Sequence, residues 1–110
     1  MRLPRMTTRR WMIIMAIIEI LTSARDRKAM SLGTVDVPSA ENFLNGFEAG
    51  CFACGRDVPL EVRARVTTKR GWVWSAKGPI EEMRERGLTE EEIVDELFAI
   101  EIAAWKACNG

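Results

Sequence analysis

The chain has 110 residues, 47% of them hydrophobic and 29% charged, a composition that excludes intrinsic disorder and a polytopic membrane protein and leaves enough length to bury a core without disulfides or metal. Sixteen Lys and Arg cancel sixteen Asp and Glu, so the cationic excess of a dedicated nucleic-acid binder is missing. The absence of His removes the commonest general base together with the commonest metal ligand, and with no Tyr any catalysis must rest on Cys, Asp/Glu, Lys/Arg or Ser/Thr.

The charge is unevenly spread. Residues 1–30 carry seven basic against two acidic residues and residues 77–110 four against nine, while the middle is balanced. The two ends therefore attract one another, within one chain or between two antiparallel copies, at the modest strength of screened surface charge.

Residues 1–10 read as a basic N-terminal arm bearing Arg2, Arg5, Arg9 and Arg10, followed by the apolar run Trp11 to Leu21, which only Glu19 interrupts. This run is too short to span a bilayer, which takes about 20 residues. A basic start, a short apolar run and Thr22-Ser23-Ala24 have the outline of a secretory signal, so residues 1–24 as a targeting segment of an exported or membrane-tethered protein form an alternative reading. Glu19 argues against it. The adopted reading is a retained core helix from about Thr8 to Met30 in a cytoplasmic protein, capped by Thr7 or Thr8. A helix apolar on nearly all sides needs covering on every side, which in so short a chain favours a homodimer or an obligate protein partner, with Trp11, Ile14 and Ile18 in the contact.

Ser31 to Pro38 reads as a loop with Gly33 at its turn, and Ser39 as the N-cap of a second helix. Leu44, Phe47, Cys51 and Cys54 step by three and four along one face of it, and Gly55 stands where a C′ glycine ends a helix. From Leu60 to Ser75 the texture changes. Val62, Ala64 and Val66 alternate with Arg63, Arg65 and Thr67, and Lys69-Arg70-Gly71 leads into Trp72-Val73-Trp74, which predicts a β-hairpin. Gly78-Pro79 then opens a short helix, Ile80 to Arg86, closed by Gly87. Thr89 with Glu92 has the spacing of a capping box and starts a final helix, about Glu90 to Ala107, with Ile93, Leu97, Ile100, Ala104 and Cys108 as its apolar stripe, Val94, Phe98 and Trp105 widening it, and Glu92, Asp95 and Glu96 on its wet side. The predicted fold is mainly α (α+β): one small domain over residues 1–110, with about four helices and one hairpin.

Cys51-x-x-Cys54 is the one motif suggestive of metal or redox chemistry. Zinc would need Cys51, Cys54 and Cys108 plus a carboxylate, or the pair repeated across a dimer. The competing reading is two small core cysteines, and a redox pair is disfavoured near a helix C-terminus, where the dipole opposes a thiolate. Glu19 and Glu101 lie within apolar arcs and call for a cation, which Arg63, Arg65 or the basic arm supplies. Arg63, Arg65, Trp72 and Trp74 together have the composition of a single-strand platform, but the neutral net charge makes nucleic acid the lesser reading. With Trp11 and Trp105 they suit a protein interface instead. No phosphate loop, nucleophile elbow or paired-His motif is present, and no catalytic residue is assigned. The sequence thus points to a small interaction or regulatory subunit that binds a protein partner or itself, without a cofactor unless the cysteines hold zinc.

Overall fold

Local chemistry starts the helix around which the others are arranged. Thr89 N donates to Glu92 Oε1 at 2.7 Å and Glu92 N to Thr89 Oγ1 at 3.2 Å, the reciprocal capping box expected of this spacing. In a computed structural model, which describes residues 8–73 and 78–108 apart from the side chains of residues 8–10, the chain forms six helices. They are α1 (Thr8–Asp26), α2 (Lys28–Leu32), α3 (Val37–Ala53), α4 (Leu60–Lys69), α5 (Pro79–Glu85) and α6 (Glu90–Cys108). Helix α6 packs on α1, α3, α4 and α5, and its Ile93, Val94, Phe98, Ile100, Ile102, Ala104 and Trp105 are buried at the centre of a single apolar cluster.

The expected β-hairpin is overturned: residues 60–69 are α4, and among the described residues there is no strand. The reason lies in two ambiguous signals. Val62 and Val66 fit a strand alternation, but they are also four residues apart, and as a helix they turn toward the core together. Gly71 is the other. It suits a hairpin turn, yet here it is the C′ residue of a helix stop, with φ +98°, where Trp72 N donates to Thr67 O at 3.1 Å and Gly71 N to Thr68 O at 2.9 Å. The same paired bonds end α3 at Gly55 and α5 at Gly87, the two stops the sequence predicts.

The count of about four helices is also corrected. The predicted helix over Thr8 to Met30 breaks at Arg27, whose φ −119° and ψ 42° leave the helical region, and restarts as α2. Helix α3 begins earlier than Ser39. Asp36 is its N-cap, accepting from Ser39 N at 2.9 Å, and Pro38 sits in the first turn, where its missing N–H removes nothing. Glu90 Oε2 accepts from Val37 N at 2.9 Å and so ties the start of α3 to the start of α6. Lys28 contributes likewise, its Nζ lying 3.1 Å from Asp95 and 3.6 Å from Glu91, an intramolecular share of the attraction between the basic and acidic ends. Glu96, expected to be wet, is half-buried: Arg70 grips it at 2.7 and 3.0 Å and Trp72 Nε1 donates to it at 2.9 Å.

An L-residue is strained at the positive φ of Gly71. Gly71→Ala is expected to destabilise the fold by about 1–2 kcal/mol, read as a lower midpoint in urea denaturation with an unchanged helical far-ultraviolet circular dichroism spectrum.

Candidate functional site

Two features separate themselves from ordinary core and surface: a buried charge cluster and an exposed apolar face. The cluster centres on Glu101, which α6 places in its apolar stripe with only 3% of its surface exposed. Arg63 of α4 spans its carboxylate with both terminal nitrogens, Nη1 to Oε1 and Nη2 to Oε2, and Trp105 Nε1 donates to Oε2 at 3.0 Å. Arg63 Nη2 also lies 3.3 Å from Glu48 of α3, so one guanidinium bridges two carboxylates from two other helices. Burial alone would lower the Arg63 pKa. The Glu101 bond and charge, with Glu48 and Asp57 behind them, reverse that and hold it above its ordinary value.

Glu48 is the group left short of counter-charge. Burial, then repulsion from Glu101, raises its carboxyl from 4.5 to about 7 against the pull of Arg63. The cleft it lines, about 190 Å³, is walled by Leu44, Pro79, Ile80, Leu97 and Ile100. This arrangement of two carboxylates shared by one fixed cation is what a helix junction needs to bury a charge. Thr67, fully buried beside it, donates its hydroxyl to Arg63 O at 2.8 Å.

The apolar face belongs to α1. Its inner residues Ile14, Ile17, Ile18, Leu21 and Ala24 are core, while Trp11 is 48%, Met12 59%, Met15 40% and Ile20 51% exposed. Beside it, α1 and α3 leave a groove of about 460 Å³ lined by Ile13, Ile17, Ile20, Gly46, Phe47, Cys51 and Arg56. A second cavity, of about 590 Å³, shares Ile20 with it and is lined by Ala16, Glu19, Ser23 and Phe43.

Of the interaction residues expected from the sequence, Trp11 is at the surface and Arg65 is exposed, whereas Ile14, Ile18, Trp72 and Trp105 are buried, and Arg63 is engaged in the cluster. Trp74 and arm residues 1–7 lie outside the described residues. Arg63 was expected to face a partner from a hairpin, but as part of α4 it points inward to Glu101, one of the two carboxylates judged to need it. Glu19 instead points to solvent.

Cys51 is half-buried and lines the groove, Cys54 is exposed and Cys108 half-buried, none of them in a disulfide. The buried-pair reading therefore fits neither cysteine fully. Among the described residues no three Cys, Asp or Glu are placed to hold a metal ion. Burial, then the charge of Glu101, raises the Cys51 thiol above its ordinary pKa, away from the thiolate a nucleophile needs. What the sequence did not reveal is Glu48, Met12, Met15, Ile20 and the groove. No helix among the described residues is long and apolar enough to cross a membrane. The chain matches no family model, and no curated protein or solved structure is significantly similar to it.

Two outcomes follow from the cluster. Arg63→Met leaves Glu101 buried without its cation and is expected to destabilise by about 3 kcal/mol, most of it recovered by the double change Arg63→Met with Glu101→Leu, as a denaturant double-mutant cycle reads. Glu48 binds its proton more tightly folded than unfolded. Its contribution is full below 4.5 and is lost as pH rises through about 7. Thermal melting should therefore fall between mildly acidic and mildly alkaline buffer, and Glu48→Gln should flatten that fall.

Proposed function

We propose that this chain is a small helical binding protein that acts by docking a protein on the apolar surface of α1 and its groove with α3, not by catalysis. The observation that carries the reading is the second apolar face of α1. Trp11, Met12, Met15 and Ile20 are large and exposed, and Ile20 also lines the open groove, an arrangement that stable folds bury against a partner. Trp and Met are also side chains enriched at protein interfaces.

The buried cluster supports the same reading from the other direction. Arg63 is shared between the Glu101 and Glu48 carboxylates, so the cluster ties α3, α4 and α6 together and leaves the surface to do the work. The core role of Ile14, Ile17, Ile18, Leu21 and Ala24 supports residues 8–24 as part of the fold, and with it a cytoplasmic protein over a cleaved or tethered one. The zinc-stapled alternative finds less support, because among the described residues no three Cys, Asp or Glu are placed to hold a metal ion.

The test is Met15→Lys. Comparing wild type and variant, each expressed in the native host and isolated by the same tag, the variant is expected to keep its melting temperature and lose whatever copurifies in stoichiometric amount, partner or second copy. Identical assemblies for the two proteins would sink the proposal.

A further inference from the structure

The last turn of α3 holds two thiols on one face. Cys51 and Cys54 stand three residues apart, and both line the groove between α1 and α3. Cys54 is the C-cap, yet its N still donates to Gly50 O at 3.2 Å and to Cys51 O at 3.0 Å, so it keeps its place on the helix. Arg56 N donates to Cys51 O at 2.8 Å and Gly55 N to Phe52 O at 2.9 Å, which fixes the turn that carries the pair.

That spacing decides what the pair can hold. Residues three apart on a helix have Cβ atoms about 5–6 Å apart, whereas a disulfide brings them to about 3.5–4.5 Å, so forming one would pull the turn out of shape. A single ion between the two sulfurs asks for no such movement. With a metal–thiolate bond of about 2.3 Å, the value for zinc, an ion in line with both sulfurs sets them roughly 4.6 Å apart, a span that the helical Cβ spacing accommodates.

The donor set selects the ion. Zinc(II) takes four ligands, and among the described residues no third Cys, Asp or Glu joins the pair. Copper(I) is soft, prefers thiolates, and is satisfied by two of them. The remaining walls, Ile13, Ile17, Ile20 and Phe47, offer none of the oxygen or nitrogen ligands that copper(II) requires. Exposed Cys54 gives the ion a path in from solvent. Two thiolates and copper(I) together carry one negative charge. Arg56, which lines the same groove and whose Nε is buried without a hydrogen-bond partner, brings a positive charge beside them.

We propose that Cys51 and Cys54 bind one copper(I) ion between their two sulfurs on the wall of this groove. Two S–H bonds break, two Cu–S bonds form and two protons leave to water, with sulfur and copper unchanged in oxidation state. Affinity therefore rises with pH. Burial, then the charges of Glu101, Cys54 and Glu48, holds the proton on Cys51, while Arg56 acts in the opposite sense. The site uses this chain's residues alone and does not depend on the docking reading above.

The test is an anaerobic titration of the reduced, metal-free full chain with copper(I) held by a chromophoric chelator, followed at the chelator's absorption band. Wild type is expected to withdraw one copper(I) per chain, and X-ray absorption of the loaded protein to show two sulfur neighbours and no third ligand. Changes behind the ligands alone cost a metal site about 10–100-fold. Cys51→Ser and Cys54→Ser, each losing one ligand of two, are therefore expected to weaken binding by about 100-fold or more. Cys108 does not line the groove, and Cys108→Ser should bind as wild type does. Thermal melts of the metal-free variants establish that each is folded; if Cys51→Ser is not, exposed Cys54 and the X-ray absorption of wild type carry the test. A wild type that leaves copper(I) on the chelator, one ion per two chains, a third ligand, or a Cys108→Ser variant as weak as Cys54→Ser each overturns the site.

Discussion

The fold turns on a carboxylate that has no water to dissolve it. Glu101 sits at mid-helix in the apolar stripe of α6, and a charge there is tolerable only if its lone pairs are filled from within. Trp105 comes from the next turn of the same helix, but Arg63 must arrive from elsewhere, so α4 is held across α6 at the one register where the guanidinium reaches both oxygens. The same cation reaches Glu48 and draws α3 to the junction. Hydrophobic contact decides that these helices touch. The ion cluster narrows how they touch, and burial within it, then repulsion from Glu101, raises Glu48.

How much of this was legible follows from the range over which each signal acts. The capping box at Thr89 and Glu92 and the glycine stops at Gly55 and Gly87 are settled within five or six residues, and there the sequence reading and the structure agree. The hairpin reading failed because Gly71 answers two local questions alike, and the arbiter is distant: Arg70 and Trp72 both reach Glu96, 26 and 24 residues on. Arg63 and Glu101, 38 residues apart, were legible as a demand for a cation with Arg63 among the candidates, but not as a geometry. Glu48 gave no sign, since on α3 it reads as one more surface acid until α4 is set beside it. The groove was illegible for the same reason: it is a property of the gap between α1 and α3.

The surface and the interior divide the chain's polar residues by task. Glu96, Glu101 and Glu90 accept from Trp72, Arg63 and Val37 and fasten elements to α6. Glu19, chemically the same side chain in a similarly apolar run, fastens nothing among the described residues. The distinction lies in which side of α1 it occupies, about 140° round the helix from Ile14 at the usual turn per residue,. An acid placed on the outer seam, among methionines and an isoleucine, lowers the apolar character of that face while keeping one polar contact point on it.

The pairing of α1 with α6 joins the first of the described helices to the last. A ribosome adds roughly 5–20 residues per second, so α1 is complete several seconds before the helix that covers its inner seam has been made. During that interval both seams of α1 are bare, and Ile14, Ile17, Ile18 and Leu21 are as accessible as Met12 and Met15 become in the finished fold. A chain broken before α6 therefore keeps Ile14, Ile17, Ile18 and Leu21 without the helix that covers them in the finished fold.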